Sequence, residues 1–131
     1  MTINVKGVAA LVAALAMLAM PHAAVAQSGY PDHNVRMLVG YPPGGPVDII
    51  GRIVADRLSQ IWGKPVVVEN ITGASGNIAA DRAAHATPDG YTLLVSTNAQ
   101  LVVNPSLYKM TFNPAKDLTP ISLAVYSPNL L

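Results

Sequence analysis

Three short segments of this chain combine glycine, proline and small polar residues in a way that could do chemistry. Tyr41-Pro42-Pro43-Gly44-Gly45-Pro46 leads into a helical period, and Thr72-Gly73-Ala74-Ser75-Gly76-Asn77 leads into an alanine-rich stretch. Ser96-Thr97-Asn98-Ala99-Gln100 follows an apolar run. Glycine beside a helix start lets a ligand approach the backbone. The first helical turn offers N–H groups that lack an intrahelical partner and carry partial positive charge. Such a loop suits an anion, a carboxylate or a phosphate. On these residues alone a second reading stays open: the glycines and prolines only make tight turns.

Several sharper motifs fail. Gly40 and Gly45 have the spacing of a phosphate-binding loop, but Pro46 and Val47 stand where lysine and a hydroxyl residue are needed. No G-x-G-x-x-G occurs. Gly73-Ala74-Ser75-Gly76-Asn77 approaches a nucleophile elbow but ends in asparagine, and no base accompanies it. That removes the basis for an α/β hydrolase reading, so no catalytic residue is assigned and no enzymatic activity is expected. Neither His33 nor His85 has a partner spacing that would make it catalytic or metal-ligating, so no metal or other cofactor is expected. Asn70-Ile71-Thr72 matches a glycosylation sequon, a triplet too frequent by chance to carry weight.

The elements around these loops alternate. Val35–Val39 is a short run of strand formers stopped by Gly40. From Val47 the period is 3.6, with Ile49, Ile50, Ile53, Val54, Leu58, Ile61 and Trp62 on one stripe, and Gly63 and Pro65 end it. Trp62 is expected in the core. Asp48 falls in the first turn, where a carboxylate suits the helix dipole. Pro65–Glu69 is apolar on both faces until Glu69, the pattern of a strand covered on both sides. A helix over 78–86 follows, then the turn Thr87-Pro88-Asp89-Gly90, then a third strand at Tyr91–Val95. The order β-α-β-α-β implies parallel strands joined by right-handed crossovers. Beyond Leu107 prolines interrupt the pattern, and Ile121–Tyr126 is a candidate fourth strand.

Composition narrows the class. Of 131 residues, 51% are hydrophobic and 11% charged, and there is no cysteine. The apolar excess is concentrated before residue 27. There Lys6 is followed by the uninterrupted run Val8–Met20, Pro21 and the small triplet Ala24-Val25-Ala26. A charged start, a short apolar core and an A-x-A site form the layout of a secretory signal peptide cut after Ala26. At 1.5 Å per residue the run spans only about 20 Å, short of a bilayer core of roughly 30 Å. No integral membrane segment is therefore expected after cleavage. Lysine and arginine total 8 against 7 acids, and setting Lys6 aside makes them equal, so no nucleic-acid footprint is present. Without cysteine there is no disulfide framework, thiolate site or lipidated N-terminus.

Several stretches together resemble one family. Tyr30-Pro31-Asp32, Val35–Val39 and Tyr41–Asp48 look like the start of the Bug-type extracytoplasmic receptors, the solute-binding components of tripartite tricarboxylate transporters. The likeness continues in Gly63–Asn70, Gly73–Ala80, Pro88–Leu94, Asn104–Tyr108 and Asp117–Ser122. It implies a two-lobed α/β fold of the periplasmic-binding-protein kind, type II-like, that closes on a small carboxylate. It also implies that the first loop holds the carboxylate largely through backbone groups and ordered water, which points to Tyr41, Pro42, Gly44, Gly45, Pro46 and Asp48. The second loop adds Ser75 and Gly76, and the third adds Thr97, Asn98 and Ala99. The chain departs from the family in two places. Tyr41 stands where phenylalanine is frequent, and Pro46-Val47 where Gly-Thr is, which removes an N–H and a hydroxyl. Family members are also usually much longer.

The expectation is therefore the N-terminal β-α-β-α-β part of such a receptor, apparently truncated. Residues 1–26 are the signal peptide, 27–104 a partial first lobe, and 105–131 the crossover toward a second lobe. The implied function is periplasmic binding of small organic carboxylates, with the membrane components of the transporter as partners. The alternative is a truncated product of the same family with no binding activity of its own.

Overall fold

Val35–Val39 forms the central strand β1 because four of its five side chains are apolar and buried, with only Arg36 reaching solvent. In the computed structural model, which describes residues 29–126, β1 is flanked on both sides. Strand β2, Val66–Asn70, pairs with it in parallel from Val35↔Val66 to Val39↔Asn70. Strand β3, Thr92–Val95, pairs in parallel on the other edge from Arg36↔Thr92 to Val39↔Val95. The expected signal peptide and residues 127–131 lie outside the described residues. Among the described residues no helix is long and apolar enough to cross a membrane.

Helix α1, Pro46–Trp62, connects β1 to β2. Pro46 sits in the first turn, where its missing N–H costs nothing. Gly63 closes the last turn in the left-handed region at φ 64°, donating its N–H to the Ser59 carbonyl at 2.9 Å. The buried face of α1 differs from the expected stripe. Val54, Leu58 and Trp62 do pack on the core of Val35, Met37, Ala55 and Val66. Ile49, Ile53 and Ile61, however, are 50%, 65% and 62% exposed. The reason is size. The contact centres on Gly51 and Ala55, both buried, and a Cβ on Gly51 would stand 3.1 Å from Val39 Cγ2. Small residues let the helix axis approach the sheet there, which turns the isoleucines away from it.

Helix α2, Asn77–Ala84, connects β2 to β3 and buries Ala79 and Ala80 completely. β2 and β3 lie on opposite sides of β1. Two right-handed crossovers that leave in opposite directions place α1 and α2 on opposite faces of the sheet. Leu38, fully buried, points to the α2 face, whereas Val35, Met37 and Val39 point to α1. β2 is thus an edge strand, and Val67 is 44% exposed, contrary to the expectation of cover on both faces. Arg36 and Glu69 occupy that open face and form a two-pronged ion pair at 2.7 and 2.8 Å. Tyr30 packs edge-on against Trp62 and Tyr91 at 5.6 and 5.0 Å, closing the amino ends of the strands.

After β3 the polar stretch winds into a π-helical turn, Ala99–Val103, continuous with the short helix α3, Asn104–Leu107. A further turn, α4, spans Pro114–Asp117 and is capped by the Asn113 side chain, which accepts the Ala115 N–H at 3.0 Å. Ile121–Tyr126 does not form the fourth strand. It has no regular structure, and Ile121, Leu123 and Tyr126 are about four-fifths exposed.

Candidate functional site

Parallel pairing puts the three glycine and polar loops at one end of the sheet, beyond the carboxyl ends of β1, β2 and β3. The connection from β1 runs to one side while β3 lies on the other, so the loops after β1 and β3 part at a topological switch point. Ligands of open α/β sheets settle in such crevices. Val39 and Val95 are register partners, which sets Tyr41 and Thr97 two residues past the paired ends. Their hydroxyls meet at 3.0 Å across the switch.

The first loop is held from behind. Asp48 is 2% exposed, and its Oδ2 accepts the Gly44 N–H at 2.8 Å and the Arg52 Nε–H at 2.9 Å. Its Oδ1 accepts the Asn70 amide at 2.7 Å, and that same amide reaches the Tyr41 carbonyl at 3.0 Å. Arg52 closes the ring by donating to Asn70 Oδ1 at 3.0 Å. The Arg52 guanidinium above all, then the Gly44 N–H and the Asn70 amide, hold the Asp48 carboxyl well below the usual carboxylate range. With both oxygens engaged, Asp48 shapes the loop from inside. What the loop offers outward is backbone. Among the described residues no acceptor meets the N–H of Val47 or Asp48, and the first N–H of α1 to be taken is that of Ile49, by the Gly45 carbonyl at 3.0 Å.

The second loop makes a left-handed turn through Ala74, Ser75 and Gly76, at φ 46°, 54° and 86°. Two of these residues are not glycine, a strained arrangement that surrounding contacts must enforce. The enforcing group is Gln100, which is fully buried. Its amide donates to the Gly76 carbonyl at 2.7 Å, and its oxygen accepts the Thr97 N–H and the Ser96 hydroxyl, each at 3.0 Å. Asn104, also buried, donates to Asn77 Oδ1 at 2.6 Å and to the Ser75 carbonyl at 3.5 Å. Gly40 completes the junction. A Cβ there would stand 2.7 Å from Gly76 Cα and 2.8 Å from Gln100 Nε2. Alanine at position 40 is expected to destabilise the fold by about 2 kcal/mol through overpacking. A shift of the urea midpoint checks this, and an unchanged midpoint would mean the loops are not in contact.

The residues singled out in the sequence therefore gather at one end of the sheet. Pro42, Gly44, Pro46, Ser75 and Asn98 are exposed there, and Tyr41, Gly45, Thr97 and Ala99 are half-buried. Gly76 is buried between loops, and Asp48 is turned inward. Sequence reasoning did not single out the polar framework of Arg52, Asn70, Gln100 and Asn104. Gln100 appeared only as the end of a polar loop. A signal was present: an amide four residues before another amide, in a stretch otherwise apolar from Leu101 to Val103. A separate cavity of about 300 Å³ lies between α2 and residues 108–112, lined by Ile78, Asp81, Tyr108 and Phe112 among others. It does not include the Tyr41–Thr97 crevice.

Residues 50–131 match the family described as tripartite tricarboxylate transporter family receptor. BugT of Bordetella pertussis is 40% identical over 111 residues, covering 83% of this chain and 34% of BugT. The solved structure of MatC from Rhodopseudomonas palustris with bound malate is 36% identical, with a TM-score of 0.69 over 72% of this chain and 33% of that one. A second R. palustris protein, Rpa4515, solved with adipate, is 34% identical with a TM-score of 0.60, over 66% of this chain and 29% of that one. The chain thus spans little more than a third of the length of the curated relatives it matches.

Proposed function

The chain belongs to the tripartite tricarboxylate transporter receptor family, and from that premise we propose that it contributes the first-lobe wall of a periplasmic receptor for small organic carboxylates. The protein is exported by a signal peptide cut after Ala26. Residues 27–104 supply part of the first lobe, and 105–131 lead toward the second. A carboxylate lies in the crevice between the first and third loops. There it receives the free N–H groups at the start of α1, with Tyr41, Pro42, Gly44, Gly45 and Pro46 around it. Ser75, Gly76, Thr97, Asn98 and Ala99 form the opposite rim. Asp48 acts from behind by fixing Gly44. The mechanism is capture rather than catalysis. The ligand binds the closed arrangement more tightly than the open one, and closure presents the loaded receptor to the membrane components of the transporter.

The observation that carries this reading is the convergence of the three loops on a switch point bridged by Tyr41 and Thr97. The carboxylate ligands of two relatives, malate and adipate, support the ligand class. Calorimetric titration of the full-length gene product with malate, adipate and citrate tests it. Saturable binding of at least one is expected. No heat from any of them, with a protein that unfolds cooperatively, refutes the reading. A second reading is that these 131 residues bind nothing by themselves. The exposure of Ile49, Ile53, Ile61, Val102 and Leu107 favours it, since such apolar surface ordinarily has a covering partner. Titrating the 131-residue chain by itself, and joined to the remaining length of a relative, separates the two.

A further inference from the structure

Tyr41 and Thr97 do more than bridge two loops. Each hydroxyl carries one proton, and in the contact between them one proton is spent. Neither hydroxyl has another partner among the described residues. The Asn70 bond to Tyr41 goes to its backbone carbonyl, and Gln100 meets the backbone N–H of Thr97. One O–H donor and several lone pairs are therefore left over. Both side chains are half-buried, so solvent competes for them less than at an open surface. Their placement is set by the sheet, because Val39↔Val95 fixes the register and the hydroxyls follow two residues later. A phenylalanine at 41 would leave the Thr97 hydroxyl without its partner.

We propose that the Tyr41–Thr97 hydroxyl pair is a specificity subsite that selects carboxylates bearing a further hydroxyl or carbonyl oxygen over unsubstituted ones of the same length. The inference rests on the carboxylate-receptor reading above and adds the substituent to it. The spare proton is donated to the substituent oxygen, and a hydroxyl substituent returns its own proton to a Tyr41 or Thr97 lone pair. An unsubstituted chain leaves that donor unmatched in a closed crevice, which lowers its affinity. Either hydroxyl can serve as the donor within the pair, and one hydroxyl left by itself still has its own proton to give, so the donor is lost only when both are removed.

Calorimetric titration of the full-length gene product with malate and with succinate, which differ by one hydroxyl, tests the pair. The wild type is expected to prefer malate by about tenfold, the worth of one net hydrogen bond. The double variant Tyr41→Phe with Thr97→Val should bring that preference to within about twofold, mainly by weakening malate, while each single variant keeps one donor and falls in between, and thermal unfolding stays cooperative. Equal wild-type affinity for the two ligands overturns the subsite and leaves the receptor reading standing. Equal weakening of both ligands by the variants also overturns it, since that is the mark of a bridge that only holds the loops. Absence of binding by either ligand and by the other carboxylates refutes the receptor reading, and the subsite with it.

Discussion

Replacing Gln100 by leucine is expected to lower stability by about 2–6 kcal/mol, because it orphans the Gly76 carbonyl and the Thr97 N–H, and each unsatisfied buried group costs about 1–3 kcal/mol. Leucine fills the volume, so little of the loss comes from a cavity. The urea midpoint reads it directly, provided the transition slope is unchanged. Gln100→Glu is the more diagnostic variant. It keeps the oxygen that accepts from Ser96 and Thr97 but turns the donor toward Gly76 into a second acceptor, facing a carbonyl at the present 2.7 Å. Ionised, that carboxylate is repelled and desolvated; protonated, it can donate again. Its folded pKa must lie above its unfolded one. The Gln100→Glu variant should therefore regain stability as pH falls through the raised pKa, while the leucine variant shows no such recovery. If both variants unfold at the wild-type midpoint, Gln100 does not clamp the loops.

The clamp explains why part of the site was legible in the sequence and part was not. Period and punctuation locate β1, α1, β2, α2 and β3 to within a few residues. These features are local: strand formers stopped by Gly40, proline opening α1, and Gly63 ending it. Parallel pairing follows from the element order. From it follows the gathering of loops 41–46, 72–77 and 96–100 at one end. What is not local was missed. The exposure of Ile49 and Ile53 depends on Gly51 approaching Val39 and Val95, a contact between elements. The burial of Gln100 depends on a π-helical turn that aims it at Gly76, 24 residues earlier. Asp48 suits a helix start in any sequence. Only the fold brings Asn70, 22 residues later, to its second oxygen.

The framework also has a functional consequence. Loop backbones that present N–H groups to a ligand must not relax before the ligand arrives, since ordering them on binding would cost affinity. In this chain several of the polar side chains around the loops are committed to holding them. Asp48 holds Gly44, Asn70 holds the Tyr41 carbonyl, Gln100 holds Gly76 and Thr97, and Asn104 holds Asn77. In the proposed site, recognition through backbone groups would then need few selective side chains on this wall. Among the described residues the Tyr41–Thr97 pair keeps one O–H without a partner, and the exposed Ser75 and Asn98 side chains make no hydrogen bond.

Asp48 gives the second large expected effect, and it appears in acid. Its folded pKa lies below the ordinary value of 3.8, chiefly because of the hydrogen bond from Arg52, then those from Gly44 and Asn70. A depressed folded pKa means that the unfolded chain takes up the proton first. The stabilisation is therefore complete above the unfolded value near 3.8 and is lost as pH falls from there through the lower folded pKa. Asp48→Asn keeps the shape but removes the charge that Arg52 meets, and it places an amide where either Gly44 or Asn70 donates. The variant should be clearly less stable than wild type at neutral pH and should approach it below pH 3.8. Glu69, lowered by Arg36, and Asp32, lowered first by Tyr91 and then by His33, add acid sensitivity of their own. Both remain in the variant, so subtracting the two urea-midpoint profiles isolates Asp48. Asp48→Ala should be the more damaging change at neutral pH, since it leaves the Gly44 N–H, the Asn70 amide and Arg52 all without their acceptor. Parallel profiles for wild type and Asp48→Asn, with no convergence in acid, would show that the carboxylate is not held in this ring. Asp48→Ala should also weaken the proposed carboxylate binding even where the protein is fully folded, because Gly44 loses the oxygen that fixes the first loop.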